Sequence, residues 1–175
     1  SASIAIQKNL IDNAIDGIVS TAPDGRIVTY NRSMQRLIGY PRNEVANRMR
    51  LDQIFAPNAS RTFREKLAAD AFGGRGRLLL FETALQDAEG RTVPVQLSAI
   101  QLAPQIPEIE CVCFFRDLRE IRKLEREMED QARILHQDKM MSLGRLAASM
   151  VHEINNPLAG ILNYLKLMAK ITKKG

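Results

Sequence analysis

From Leu118 to Leu143 the chain contains neither proline nor glycine, and its apolar residues return with a helical period. Such a run predicts a helix well beyond the usual globular length. It divides the chain near Asp117, because everything before that point has a different rhythm. Leu118, Glu125, Ala132 and Lys139 fall at one core position of a heptad, and Ile121, Met128, Leu135 and Ser142 at the other. Leu124 widens the stripe, while Glu125 and Lys139 weaken it as a coiled-coil seam. Outside the stripe, Lys123 with Glu127, Arg126 with Asp130, and Glu129 with Arg133 are expected to pair. Each exposed pair contributes ~0.2–0.5 kcal/mol. Charges of both signs, without interleaved aromatics, describe a solvated helix face and not a nucleic-acid arm.

A second stripe follows: Leu143, Ala147, Met150, Ile154, Pro157, Ile161, Tyr164 and Met168. It is displaced by one residue from the first, which implies a local change of helix winding. His152, Glu153, Ile154, Asn155, Asn156 and Pro157 lie in it. Proline lacks an N–H, and its ring crowds the carbonyl four residues back, here that of Glu153. The helix is therefore expected to bend or loosen within a turn of a histidine and a carboxylate. His152 falls two residues past Met150, so it faces away from the stripe. An exposed imidazole is partly neutral near pH 7 and has a free ring nitrogen. His136, beside Leu135, has no such company and reads as an exposed linker histidine.

Before Asp117, strand-like runs alternate with turns and short helices. Gln7 to Ile15 reads as a helix, Gly17 to Thr21 as a strand, Pro23-Asp24-Gly25-Arg26 as a hairpin turn, and Ile27 to Tyr30 as the returning strand. Asn31 caps a helix that ends at Gly39. Pro41–Val45 and Leu51–Phe55 read as helical turns, and Ala59–Phe72 as a helix with Phe63, Leu67 and Ala71 four apart. Leu78–Leu85 and Thr92–Leu102 flank a second hairpin turn, 87–91. Val93, Val95, Leu97 and Ala99 share one face. Pro104 and Pro107 mark a loop, and Cys111–Arg116 a last strand. Asn31 is expected to cap and do nothing more, and Tyr30 and Tyr40 to be partly buried. Two hairpins and this order give an α+β domain: an antiparallel five-stranded sheet with short helices on one face.

This first part resembles a PAS domain. The resemblance rests on 11–21, Asp24-Gly25-Arg26-Ile27, Tyr30-Asn31, Leu37-Ile38-Gly39-Tyr40, Glu44-Val45, 87–95 and Phe115-Arg116-Asp117-Leu118. The family usually has threonine or serine two residues after that aspartate, in contact with it; here Arg119 stands there. The division is then 1–117, a PAS-like sensor domain; 118–142, a coiled-coil signalling linker helix; and 143–175, the beginning of something else.

That third segment resembles the first helix of the dimerisation and phosphoacceptor domain of sensor histidine kinases, incomplete in these residues, with its phosphoacceptor box. The match is carried by 152–157, by Lys139-Met140-Met141-Ser142-Leu143-Gly144 and Ala147-Ala148 before it, and by Leu158-Ala159-Gly160-Ile161 after it. The resemblance implies that His152 accepts the γ-phosphoryl group of ATP. Glu153 acts as base or orients the ring, and Asn156 positions a water for dephosphorylation of a response regulator. It implies a two-component protein-histidine kinase, a homodimer, a receiver-domain partner, and an ATP-binding domain that uses Mg. Neither that domain nor the second hairpin helix is recognisable in these 175 residues. Gly73-Gly74-Arg75-Gly76 lacks the Lys-Ser/Thr of a phosphate loop. The chain is therefore expected to be part of a longer kinase and inactive alone. A PAS-based ligand-binding or dimerisation module without phosphotransfer is the alternative.

Composition limits the rest. Net charge is +5, from 25 basic and 20 acidic residues, too mild to demand nucleic acid. No run approaches the ~20 apolar residues of a membrane span, and no signal peptide is evident. Cys111 and Cys113 are expected to be buried, reduced core thiols, in keeping with a reducing cytoplasm. No histidine lies in the first 117 residues, which argues against a His-ligated haem. No cysteine lies in the helical segment where photoactive flavin relatives of PAS carry theirs. No metal site is expected, and the PAS ligand is left open between none and a small apolar or acidic metabolite.

Overall fold

A computed structural model describes residues 2–70, 73–102 and 107–173. It divides into two units, Ser1–Arg122 and Lys123–Gly175. The elements of the first are α1 (Ala2–Asp12), β1 (Gly17–Thr21), β2 (Ile27–Tyr30), α2 (Arg32–Ile38), α3 (Arg42–Val45), a 3-10 turn (Leu51–Ile54), α4 (Ala59–Ala68), β3 (Arg77–Gln86), β4 (Thr92–Gln101) and β5 (Cys111–Asp117). α5 (Arg119–Thr172) begins in the first unit and makes up the second.

The five strands form one antiparallel sheet in the order β2-β1-β5-β4-β3. Both hairpins close as the sequence predicts. Gly25 and Gly90 supply the positive φ, at 82° and 78°. The Asp24 carboxylate accepts from the Arg26 N–H at 3.0 Å, and that of Asp87 from the N–H groups of Glu89 and Arg91 at 3.0 and 2.8 Å. Burial works to raise the Asp87 carboxyl. Hydrogen bonds from Arg91, then Glu89, outweigh it and hold the group below the usual carboxylate range.

β4 alternates as expected, with Val93, Val95, Leu97 and Ala99 buried. β3 does not. Leu78 and Leu85 are both buried although they lie seven positions apart, an odd offset that in a regular strand puts side chains on opposite faces. A β-bulge between Leu78 and Phe81 reverses the facing. It places Leu80 at φ 53°, with its N–H donated to the Ser98 hydroxyl at 3.1 Å. Strand periodicity cannot announce such a slip. Tyr30, Met34, Ile54, Leu97 and Phe115 are among the largest wholly buried side chains. Tyr30 is thus more buried than expected, and burial pushes its phenol up; Tyr40 is half-buried as read.

Helix ends moved where tertiary hydrogen bonds compete with the helix. α1 stops at Asp12 and not at Ile15. The carbonyls of Ile11 and Asp16 accept from the Asn31 amide, and that of Ala14 from the Ser33 hydroxyl, which draws 13–16 out of helical geometry. α4 stops at Ala68. There the Leu67 carbonyl accepts from Gly76 N at 3.0 Å, and the Asp70 carboxylate from Arg75 N at 3.0 Å. The expected continuation to Phe72, and Pro104 of the expected loop, lie outside the described residues.

α5 stays helical through Pro157. The expected loosening at Glu153 does not interrupt it; it amounts to the hydrogen bond that proline cannot donate. Lys123 and Glu127 approach to 3.9 Å as predicted. Arg133 pairs instead with Asp130, at 2.7 Å and three residues away, so neither the Arg126–Asp130 nor the Glu129–Arg133 pair is the arrangement observed.

Candidate functional site

β1 and β5, the first and last strands, are neighbours, with Gly17 opposite Phe115. The chain thus enters β1 and leaves β5 at the same end of the sheet. Arg116 and Asp16 join entry to exit by an ion pair at 3.2 Å. Arg119, which departs from the family's usual residue, keeps the aspartate engaged. Its N–H donates to Asp117 Oδ1 at 2.9 Å and its guanidinium to Asp117 Oδ2 at 2.7 Å. Burial works to raise the Asp117 carboxyl, and these bonds outweigh it and hold it low. The start of α5 is tied to the sheet by three further contacts: Leu118 is buried, its N–H donates to the Pro94 carbonyl at 3.1 Å, and Arg122 pairs with Glu82 at 2.8 Å.

Asn31 does more than cap. Its oxygen accepts from Met34 N at 3.0 Å and Ile18 N at 2.9 Å, and its amide donates to the carbonyls of Ile11 and Asp16 at 2.8 and 3.1 Å. One buried amide therefore fastens α1, β1 and α2 together. Local sequence shows the cap; only long-range proximity supplies the other three bonds.

The inner side of the sheet holds a half-open cavity of about 270 Å³. Leu51, Phe55, Phe63 and Leu67 give it an apolar wall, Cys111 lies in its floor, and Arg50, Asp52, Arg64 and Glu110 stand around it. The Phe55 and Phe63 rings stack at 5.3 Å, and Phe55 meets Phe115 edge-on at 6.3 Å. Arg50 donates to the Asp24 carbonyl and to Asp52, which fixes one side of the mouth. This is a small site of mixed polarity, suited to a small molecule with an apolar body. Sequence reading found only the Phe63–Leu67 spacing on α4; that Arg50 and Cys111 face the same space required the fold.

The second unit is helix alone. His152 and Asn156 are four residues apart on α5 and so share a face, with Glu153 beside the histidine. Among the described residues none of the three has a hydrogen bond or ion pair to another side chain. Every described residue from Lys123 onward is exposed, the apolar stripe included. Exposure alone therefore does not distinguish the His152 face from Met150 or Ile154, which are 62% and 56% exposed. The imidazole is open to an incoming group, and no side chain among the described residues of this unit restrains it.

The family model described as the PAS domain matches residues 15–120. The chain belongs to the PAS domain family. A second model, the His Kinase A (phospho-acceptor) domain, matches residues 142–174, so a phosphoacceptor segment follows the PAS domain. Sensor histidine kinase TmoS of Ectopseudomonas mendocina is 26% identical over 164 residues, covering 93% of this chain and 17% of its own length. Cell-division control histidine kinase PdhS of Brucella ovis is 28% identical over 170 residues, covering 93% of this chain and 15% of its own. The chain thus spans about a sixth of the length of these curated relatives. A crystallised PAS domain from Colwellia psychrerythraea superposes with TM-score 0.58 at 14% identity, over 67% of this chain and 98% of that one, a likeness of fold. Among the described residues no helix is long and apolar enough to cross a membrane.

Proposed function

We propose that the chain is the signal-sensing and phosphoacceptor portion of a two-component sensor histidine kinase, with His152 as the phosphoacceptor. The observation that carries this reading is an exposed, unrestrained imidazole with Asn156 one turn on, inside the segment matched to the phospho-acceptor family. A neutral ring nitrogen attacks the γ-phosphorus of ATP, an N–P bond forms, and the bond to the leaving ADP oxygen breaks. Glu153 accepts or steers the ring proton. Asn156 holds a water for regulator dephosphorylation. ATP, Mg²⁺ and their positioning come from the ATP-binding domain of a longer parent, and a receiver domain takes the phosphoryl group. The PAS domain supplies the input through its exit joint at Asp117, and the protein works in the cytoplasm.

Dimerisation through α5 is part of this reading. Met128, Leu135, Leu143, Met150, Ile161 and Met168 are 51–69% exposed, an unburied stripe along a helix that packs on no other element among the described residues of its unit. Sedimentation at micromolar concentration should show a homodimer of modest affinity, because Glu125 and Lys139 interrupt the seam. A monomer throughout that range counts against it.

The direct test supplies a histidine-kinase ATP-binding domain in trans with labelled ATP. Acid-labile, base-stable label on this chain is expected. Its absence, with the same domain phosphorylating its own acceptor, sinks the phosphotransfer reading and leaves a PAS binding or dimerisation module.

A further inference from the structure

Cys111 and Cys113 are the only cysteines, and both are free and buried. They lie two apart on β5, so both point to the inner face, and their sulfurs are 3.8 Å apart. β5 is an inner strand. Cys111 is opposite Thr21 and Gln101, and Cys113 opposite Val19 and Ala99. Two ladders therefore hold the pair at strand spacing, which places Cα atoms two residues apart at roughly 6.4–6.8 Å. A disulfide tolerates Cα separations only up to about 6.8 Å and prefers about 5.5–6 Å. Closing one would contract a strand fixed on both sides. An atom inserted between the sulfurs needs no contraction. Two thiolate bonds of about 2.3 Å at a tetrahedral angle span about 3.8 Å, whereas a linear arrangement would need about 4.6 Å.

We propose that Cys111 and Cys113 form a two-thiol clip for a single bent thiophilic centre, entered from the PAS cavity, with trivalent arsenic as its simplest probe. Cys111 lines that cavity, and Cys113 lies directly behind it without solvent exposure. A hydrogen bond between the two sulfurs, in which either can donate, favours the Cys111 thiolate, and Cys111 is also the sulfur that lines the cavity, so an incoming centre meets it first. The same bond, then burial, pushes Cys113 up, and its proton leaves as the second bond closes. No third His, Cys, Asp or Glu among the described residues completes a metal-binding group. The clip therefore selects centres satisfied by bonds to sulfur, and its open side faces the cavity. The inference does not depend on phosphotransfer at His152.

The test treats the folded 175-residue chain with phenylarsine oxide and measures intact mass in excess glutathione. Two S–H bonds break, two As–S bonds form, and the arsenic-bound oxygen leaves with both protons as water; nothing is oxidised. The expected result is one adduct per chain that survives the competing monothiol. Cys111→Ser and Cys113→Ser should each weaken retention about 100-fold or more, since the second bond is intramolecular. Cys113→Ala replaces Cys113→Ser if serine disrupts the core. Retention unchanged in either single variant overturns the clip, as does adduct formation only at the rate of global unfolding, or no adduct at all.

Discussion

His152→Gln should remove all acid-labile phosphate from the chain when a kinase ATP-binding domain and ATP are supplied. Glutamine is near histidine in size and keeps a polar side chain on a fully exposed helix, so the helix should be undisturbed. Its amide nitrogen, however, has no lone pair available to attack phosphorus. Asn156→Ala should behave differently. Position 156 shares the His152 face but lies one turn away, where an amide can hold a water beside the phosphoryl group without touching the attacking nitrogen. Regulator dephosphorylation is expected to slow roughly ten- to a hundred-fold, with autophosphorylation in the full-length parent changed far less. The measurement is a pair of rates for each variant. Equal slowing of both by Asn156→Ala would remove the separate role of Asn156, and label persisting on His152→Gln would remove the kinase reading altogether.

Asn31→Ala should destabilise the PAS domain by roughly 3 kcal/mol, the sum of a lost cap at about 1 kcal/mol and stranded buried backbone groups at about 1–3 kcal/mol each, part of which water recovers. The residue is 1% exposed and all four of its hydrogen bonds are to backbone. For a domain of this size the melting temperature should fall about 10 °C. Asn31→Asp is expected to fall between, since it keeps both accepted bonds and loses both donated ones. Urea unfolding of the three proteins decides the matter. A loss under about 1 kcal/mol for the alanine variant would mean a cap and nothing more.

Asn31 also shows where sequence reasoning stops. Its cap is a local event, reaching three residues on, and is legible from Asn31-Arg32-Ser33-Met34 alone. Its bonds to Ile11, Asp16 and Ile18 cross 13 to 20 residues, and no local pattern reports them. The same limit explains the helix ends. Propensity alone extends α1 and α4 too far toward their C-termini, because it does not register Ser33 and Asn31 donating to carbonyls, or Gly76 turning back on Leu67. The β3 bulge is a third case: an extra residue absorbed at Leu79–Leu80 reverses which side chains face the core, while the composition of the strand stays that of a regular one.

What the sequence determined by itself was everything that depends on short-range chemistry. Turn glycines fixed both hairpins, period-two alternation fixed the buried face of β4, and the absence of proline and glycine from Leu118 to Leu143 fixed the first half of α5. The order of residues from His152 to Pro157 put the His152 imidazole and the Asn156 amide on one face of that helix. The tertiary structure alone decided what depends on distant segments meeting. Pairing β1 with β5 set entry beside exit, and packing α4 over the sheet made the cavity. The two ladders on β5 hold Cys111 and Cys113 with their sulfurs 3.8 Å apart. The physical reason is range: dihedral preference and side-chain period act over a few residues, whereas strand order and shared cavities are set by which surfaces exclude water from one another.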